Sequence, residues 1–280
     1  FSRWQHAKTA MKGLDELLKK PLDKPESATM AHCPTLTGHF ELRNVHYTYD
    51  EENEQNVLNV QQLNIKPGEK IAILGKVGAG KSTLLKILAG QAQASQGKVL
   101  VDGVDMAHID PTDLRRQLGW LSHDSRLFFG TLRQNLLLGN PHASEQEMLQ
   151  ALRISGALSL VQQDAASLDR VINEGGRGLS GGQRQMIMLS RMILRQPQVV
   201  LLDEPTAAMD EQLEEHVIRQ MQGWISGRTL ILVTHRPALL KMVDRIVVMD
   251  NGRIIADGAK EQILRRATQN VPQATQGGAV

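Results

Sequence analysis

Apolar residues recur along this chain with two periods, and the switches between them divide it into elements. Phe1, Trp4, Met11, Leu14, Leu17 and Leu18 follow helical spacing, with Lys8, Lys12, Lys19 and Lys20 between them, until Pro21 stops the pattern. This predicts an amphipathic helix, read either as an ordinary surface helix or as the continuation of a preceding segment. Residues 21–38 are rich in Pro, Ser and Thr and read as a linker. From His39 to Tyr49 the apolar positions Phe40, Leu42, Val45, Tyr47 and Tyr49 predict a strand. Asp50 to Asn56 is an acidic, polar loop, and Val57 to Ile65 reads as a second strand. Pro67-Gly68 then makes a turn, so an antiparallel hairpin precedes the run Lys70 to Leu74. That run is short and apolar, as a strand buried on both faces should be. Ser82 to Ala89 returns to helical spacing through Leu84, Leu85 and Leu88.

Further strands are expected over Gly97–Val101 and Trp120–Ser122, with a short helix over Asp113–Leu118 between them. From Thr131 to about Arg195 the period is mostly helical, which predicts a helical subdomain inserted into an α/β core. Apolar runs at Val199–Leu202 and Thr229–Val233 return to strand, and Arg245–Met249 with Arg253–Ala256 reads as a hairpin across Asp250-Asn251-Gly252. Ala259–Arg266 is expected to be a short helix, and residues 268–280, without periodicity, a disordered tail. No internal repeat is visible.

Composition narrows the function classes. Lys+Arg number 32 and Asp+Glu 30, a net charge of +2, which is no nucleic-acid footprint. Aromatic residues are 3%, too few for an RNA-stacking surface. Cys33 is the only cysteine, which excludes an internal disulfide and a cysteine-cluster metal site. No run of 18 or more apolar residues exists to span a bilayer. The chain starts at Phe1 and carries no signal-peptide pattern, and it reads as a piece of a longer polypeptide.

The chemistry concentrates in three places. Gly75-Lys76-Val77-Gly78-Ala79-Gly80-Lys81-Ser82-Thr83 matches G-x-x-x-x-G-K-[ST], the phosphate-binding P-loop, and lies between an expected strand and an expected helix as the mechanism requires. Glycines 75, 78 and 80 let the backbone curl around a phosphate chain, and the loop N–H groups and helix N-terminus point at the anion. Lys81 is expected to reach the β- and γ-phosphates, and the Ser82 hydroxyl to ligate Mg²⁺, a hard cation that prefers oxygen. Second, the apolar run from Gln198 ends in Asp203-Glu204, placing two carboxylates at the strand end where open α/β sheets hold their sites. Asp203 suits Mg²⁺ coordination, directly or through water, and Glu204 suits polarising an attacking water. Third, His235 follows the strand Thr229–Val233, either as a structural histidine or as a contact to a γ-phosphate. Tyr49 similarly reads either as a plain strand aromatic or as a ring for stacking on a purine.

Leu179-Ser180-Gly181-Gly182-Gln183 opens a helix about twenty residues before Asp203. Together with the P-loop and the Asp203-Glu204 strand it resembles the ATP-binding-cassette (ABC) ATPases, over about residues 38 to 267. The resemblance implies a P-loop NTPase core, a mixed sheet with flanking helices, plus an antiparallel β subdomain and the inserted α-helical subdomain. It also implies the domain limits: a connector helix and linker over 1–37, the ATPase domain over 38–267 and a tail over 268–280. By the same resemblance Tyr49 looks like the ring that stacks on adenine. Ser180, Gly181, Gly182 and Gln183 look like the signature that caps the γ-phosphate held by an opposite subunit. Asp210 looks like an acid at the dimer interface, and His235 like the switch histidine. Val77, Ala79 and Thr83 fall within the nucleotide loop. Glu174, before Gly175-Gly176, resembles the exporter-type segment that touches membrane-domain loops, and Phe128-Phe129-Gly130-Thr131-Leu132-Arg133 with Arg177-Gly178-Leu179 look like exporters, particularly type I secretion permease/ATPases.

The implied cofactors are ATP and Mg²⁺. The implied partners are a second nucleotide-binding domain and a transmembrane domain, with no nucleic acid. The implied location is the cytoplasmic face of the inner or plasma membrane. One position departs from the family pattern. His123, in Trp120-Leu121-Ser122-His123-Asp124, stands where the family has a glutamine that links Mg²⁺ and the attacking water to the membrane domain. Two rivals follow: a degenerate, binding-only subunit of a heterodimer, motivated by His123, and a soluble non-transport ABC protein. The second would show another cassette or a nucleic-acid patch, and this chain has neither.

Overall fold

Five helices of this chain begin where a side chain satisfies free N–H groups of the first turn. The computed structural model describes residues 2–18, 30–49, 57–162 and 167–269. In chain order these hold α1 (Ser2–Leu18), β1 (Phe40–Tyr47), β2 (Leu58–Ile65), β3 (Lys70–Leu74), α2 (Lys81–Leu88), β4 (Gln96–Val101), β5 (Val104–Asp105), α3 (Pro111–Gln117) and β6 (Leu118–Leu121). They continue with β7 (Gly130–Thr131), α4 (Leu132–Leu137), α5 (Glu145–Ile154), α6 (Ser159–Gln162), β8 (Val171–Ile172), α7 (Gly181–Leu194) and β9 (Val199–Asp203). The last elements are α8 (Glu211–Trp224), β10 (Thr229–Val233), β11 (Arg245–Asp250), β12 (Arg253–Ala259) and α9 (Lys260–Gln269). Thr131–Gln134, Ser144–Glu147 and Ser180–Gln183 form reciprocal capping boxes that start α4, α5 and α7. Asp110 and Asp210 cap α3 and α8, the former with Pro111 in the first turn.

Two sheets carry the architecture. The larger has the order β12-β11-β3-β10-β9-β6, parallel except for the edge strand β12. The smaller has the order β2-β1-β4-β5 and is antiparallel throughout. Successive side chains of the central strands point to opposite faces, so each strand feeds two cores. Ala72, Val200, Leu202, Leu230 and Leu232 join the core shared with the helices α4, α5, α7 and α8. Ile71, Ile73, Val199, Leu201, Ile231 and Val233 join the core shared with α2 and the antiparallel sheet. Strands buried on both faces are uniformly apolar, which is why β9 and β10 read as unbroken runs.

The mixed sheet, the antiparallel hairpin β1–β2 and the helical insertion stand as the sequence implies. Several details differ. Residues 30–38, read as the end of a linker, pack on the fold: Ala31 bridges Ile109, its N–H donating to the His108 carbonyl at 2.7 Å, and Leu36 is buried. Thr37 and His39 are held by the Asp102 carboxylate. Leu118 joins the sheet beside Val199, so β6 starts two residues earlier than expected and α3 stops before it. Helix α9 continues to Gln269, past the expected start of the tail. Helix α8 was not expected at all. The acidic loop over 50–56 and the tail beyond 269 lie outside the described residues, as do residues 21–29 of the linker. On α1 the apolar residues Trp4, Met11, Leu14, Leu17 and Leu18 are exposed.

Candidate nucleotide site

The C-terminal ends of β3, β9 and β10, three adjacent parallel strands, all open on one edge of the sheet. Beyond β3 runs the P-loop. Gly75 takes φ +156°, and a Cβ there would stand 2.2 Å from the Met249 carbonyl oxygen, so backbone packing itself demands glycine. Gly80 takes φ +91° and hands the chain to α2. Lys81 is buried, and its Nζ donates to the carbonyls of Gly75 (2.7 Å) and Lys76 (2.8 Å), bracing the loop across its mouth. Burial pushes the ammonium's pKa down, while the charges of Glu204 and Asp203 act in the opposite sense. The turn between β11 and β12 supports the loop from outside, the Gly252 N–H donating to Ala79 O at 3.1 Å.

At the C-terminal end of β9 stand the two carboxylates, Asp203 as its last residue and Glu204 just after it. Asp203 is 7% exposed. Glu204 sits in the left-handed region (φ +50°), a conformation that costs a non-glycine residue of the order of 1–3 kcal/mol and persists where the surroundings enforce it. Its N–H is fixed to Val233 O at 2.9 Å, and Gln185 of α7 donates to its carbonyl at 3.1 Å. Burial pushes the Glu204 carboxyl above the ordinary carboxylate range. The nearby His235 opposes that shift and Asp203 adds to it. The His235 Nε2 is 3.8 Å from Glu204 Oε1, and the Thr234 hydroxyl donates to Oε2 at 3.4 Å. Oε1 is buried and accepts no hydrogen bond from another protein group.

A raised carboxyl has a consequence for stability. Its protonated form is favoured in the folded chain, so folding loses ground as pH rises from the unfolded carboxyl's range through the folded one. Glu204→Gln removes that penalty. Its Tm is expected to exceed the parent's by about 1–2 °C at pH 7, because partial exposure screens the effect. The gap should close as pH falls below the ordinary carboxylate range. Thermal melts across that range check this.

Tyr49, Val77 to Thr83, His123, Gln185, Asp203, Glu204, Ala207, Val233 and His235 line one cleft of about 680 Å³. The Tyr49 ring is largely exposed, its hydroxyl 3.0 Å from Thr83 Oγ1 and its edge against Tyr47. His123 is exposed, with Nδ1 3.4 Å from Asp124 Oδ1. The structure does not bring every expected residue here. Ser180, Gly182, Gln183 and Asp210 are not among those lining the cleft, and Gly181 lines a smaller cavity that shares His123, Gln185 and Asp203 with it. Ser180 and Asp210 instead cap α7 and α8. Sequence reasoning missed Gln185, whose side chain donates to Glu204 O and accepts from the Ala208 N–H at 3.0 Å. The available signal was its position one helical turn after Gly181.

A phosphate cradle after β3, two acids at the end of β9 and a histidine after β10 have the form of a P-loop nucleotide-binding site. The family model described as "ABC transporter" matches residues 58–207, and the chain belongs to that family as an ABC ATPase domain. Cyclolysin secretion/processing ATP-binding protein CyaB of Bordetella pertussis is 39% identical over 84% of this chain and 33% of that protein. Leukotoxin translocation ATP-binding protein LktB of Mannheimia haemolytica is 34% identical over 91% of this chain and 36% of that protein. The chain thus spans about a third of the length of these curated relatives. A solved bacterial Atm1-family ABC exporter with ATP bound superposes with a TM-score of 0.85 at 28% identity, over 96% of this chain and 48% of that one.

Proposed function

We propose that this chain hydrolyses ATP to ADP and phosphate and drives export, of the type I protein secretion kind, through a membrane domain at whose cytoplasmic face it works. Lys81 and the loop N–H groups hold the phosphates, Tyr49 faces the base, Glu204 accepts the proton of the attacking water and His235 stands by the γ-phosphate. The Ser82 hydroxyl and the Asp203 carboxylate fit Mg²⁺ as hard oxygen donors. Among the described residues no group of three or more His, Cys, Asp or Glu is arranged to hold a metal by itself. When bound, the ion would be shared between these oxygens and the nucleotide phosphates and would neutralise charge on the transferring group.

The observation that carries this reading is the split site: P-loop, acids and His235 share the cleft while Ser180, Gly182 and Gln183 do not line it. Two copies, or this chain and a paralogue, arranged head to tail bring each signature to the other's phosphate. Steady-state ATPase of the full chain tests it. Specific activity should rise with protein concentration, because the site is completed by a second copy. Turnover independent of concentration would sink the paired arrangement, and absence of turnover would favour the binding-only subunit that His123 suggests.

His123 reaches the same cleft and sets a further expectation. Mg²⁺ takes oxygen ligands and releases its waters reluctantly, whereas Mn²⁺ accepts imidazole more readily. The Mn²⁺-to-Mg²⁺ ratio of ATPase rates is expected to be higher in the parent than in His123→Gln. Equal ratios would show that the imidazole plays no part at the metal.

A further inference from the structure

The turn after β10 is anchored by a side chain that does not line the nucleotide cleft. Arg236, next to His235, places Nη1 3.2 Å from Glu214 Oε2, and its Nη2 donates to Ala207 O at 3.0 Å. Glu214, on α8, is 4% exposed, and its other oxygen accepts a hydrogen bond from the hydroxyl of Thr206, itself 1% exposed. A carboxylate buried to this degree is tolerated only with a paired cation and filled acceptor sites, and here both are present. The Arg236 N–H donates to Thr234 Oγ1 at 2.9 Å, and that hydroxyl donates in turn to Glu204 Oε2. On the opposite flank, Gln185 joins Glu204 O to the Ala208 N–H. The segment 204–208 is thus tied to the buried Glu214 carboxylate directly through Thr206 and, by way of Ala207, through the Arg236 guanidinium, which also anchors the turn 234–236. Arg236 is not among the residues lining the nucleotide cleft.

We infer that Arg236 is a positioning residue for hydrolysis: by clamping the 234–236 turn to Ala207 and Glu214 it sets the placement of His235 against Glu204, which stand 3.8 Å apart. The inference rests on the reading of Glu204 and His235 as the groups at the reacting phosphate. A guanidinium suits this place because its planar fork serves two acceptors at once, which a lysine ammonium on one flexible stem does not. Misplacing a reacting group by about an ångström costs up to ~10²-fold in rate while leaving the binding contacts intact.

The test compares the parent with Arg236→Met, Arg236→Lys, Glu214→Gln, the double variant Glu214→Gln/Arg236→Met, and Glu204→Gln, using the full chain. Steady-state ATPase, ATP affinity by calorimetry and Tm are read for each. Arg236→Met is expected to lower kcat about 10- to 100-fold with KM for ATP and ATP affinity near the parent's. Glu214→Gln should move kcat in the same direction, and the double variant should be no slower than the slower single one, since both remove one clamp. Arg236→Lys should fall between parent and Arg236→Met, and it decides the matter should the methionine variant fail to fold. A parent-like kcat in Arg236→Met or Arg236→Lys, with or without a lowered Tm, overturns the inference and leaves Arg236 a structural residue. A loss confined to KM or to ATP affinity also overturns it. Glu204→Gln separates the two failures. If it keeps parent-like turnover, the catalytic reading falls; if it is inactive while Arg236→Met turns over normally, the clamp alone falls.

Discussion

Glu204→Gln is expected to bind ATP with near-parent affinity and hydrolyse it at least ~10²-fold more slowly, the usual scale for losing a positioned general base. The substitution keeps the shape of the side chain and the backbone tie to Val233 O, so the cleft is undisturbed. It removes the carboxylate proposed to accept the water proton, whose Oε1 is buried and has no protein hydrogen-bond partner among the described residues. The raised carboxyl supports the role, because a base whose proton affinity is lifted by burial takes a proton more readily. With the γ-phosphate persisting, the paired complex should persist too, visible as an ATP-dependent shift to dimer on size-exclusion chromatography. Parent-like turnover in this variant would remove Glu204 from the mechanism.

Lys81→Ala is expected to weaken ATP binding by roughly 1.5–3 kcal/mol, about 10- to 150-fold, the range for hydrogen bonds to charged groups. Two losses coincide there. The ammonium that pairs with phosphate oxygens disappears, and so do its bonds to the carbonyls of Gly75 and Lys76 that brace the loop. The second loss leaves those carbonyls in need of water, so the loop loosens as well as discharging. Calorimetric titration of ATP into parent and variant measures the difference. Unchanged affinity would count against the P-loop as the phosphate site.

Much of the nucleotide half-site was legible because its parts are local. A phosphate loop needs glycines within one stretch of backbone, between a strand and a helix, and Gly75, Gly78, Gly80 and Lys81 state that in nine residues. Asp203-Glu204 were legible for a similar reason, since the apolar run of β9 aims whatever follows it at the sheet's C-terminal edge. The capping boxes at Thr131, Ser144 and Ser180 are equally local. Helix α8 was overlooked although its signal exists: Glu214, Val217, Ile218, Met221 and Trp224 share one buried face at helical spacing. There an acidic residue on the apolar face disguised the pattern, and its partners Arg236 and Thr206 explain how it is buried.

What the amino-acid order determined by itself, then, is the set of elements and the chemistry carried at their ends, because backbone conformation, capping and the strand or helix period act over a few residues. The tertiary structure alone decided which ends meet. Strand order β12-β11-β3-β10-β9-β6 brings the ends of β3, β10 and β9 side by side, although the end of β3 at Leu74 lies 129 positions before that of β9 at Asp203 and 159 before that of β10 at Val233. Residues 30–38 look like a linker by composition and become part of the fold through backbone hydrogen bonds to His108 and Asp110. Gln185 meets Glu204, and Arg236 meets Glu214, across spans in which no local preference acts. Such pairings depend on how buried apolar faces pack and on which polar groups must then find partners, and neither is written in any one stretch of the sequence.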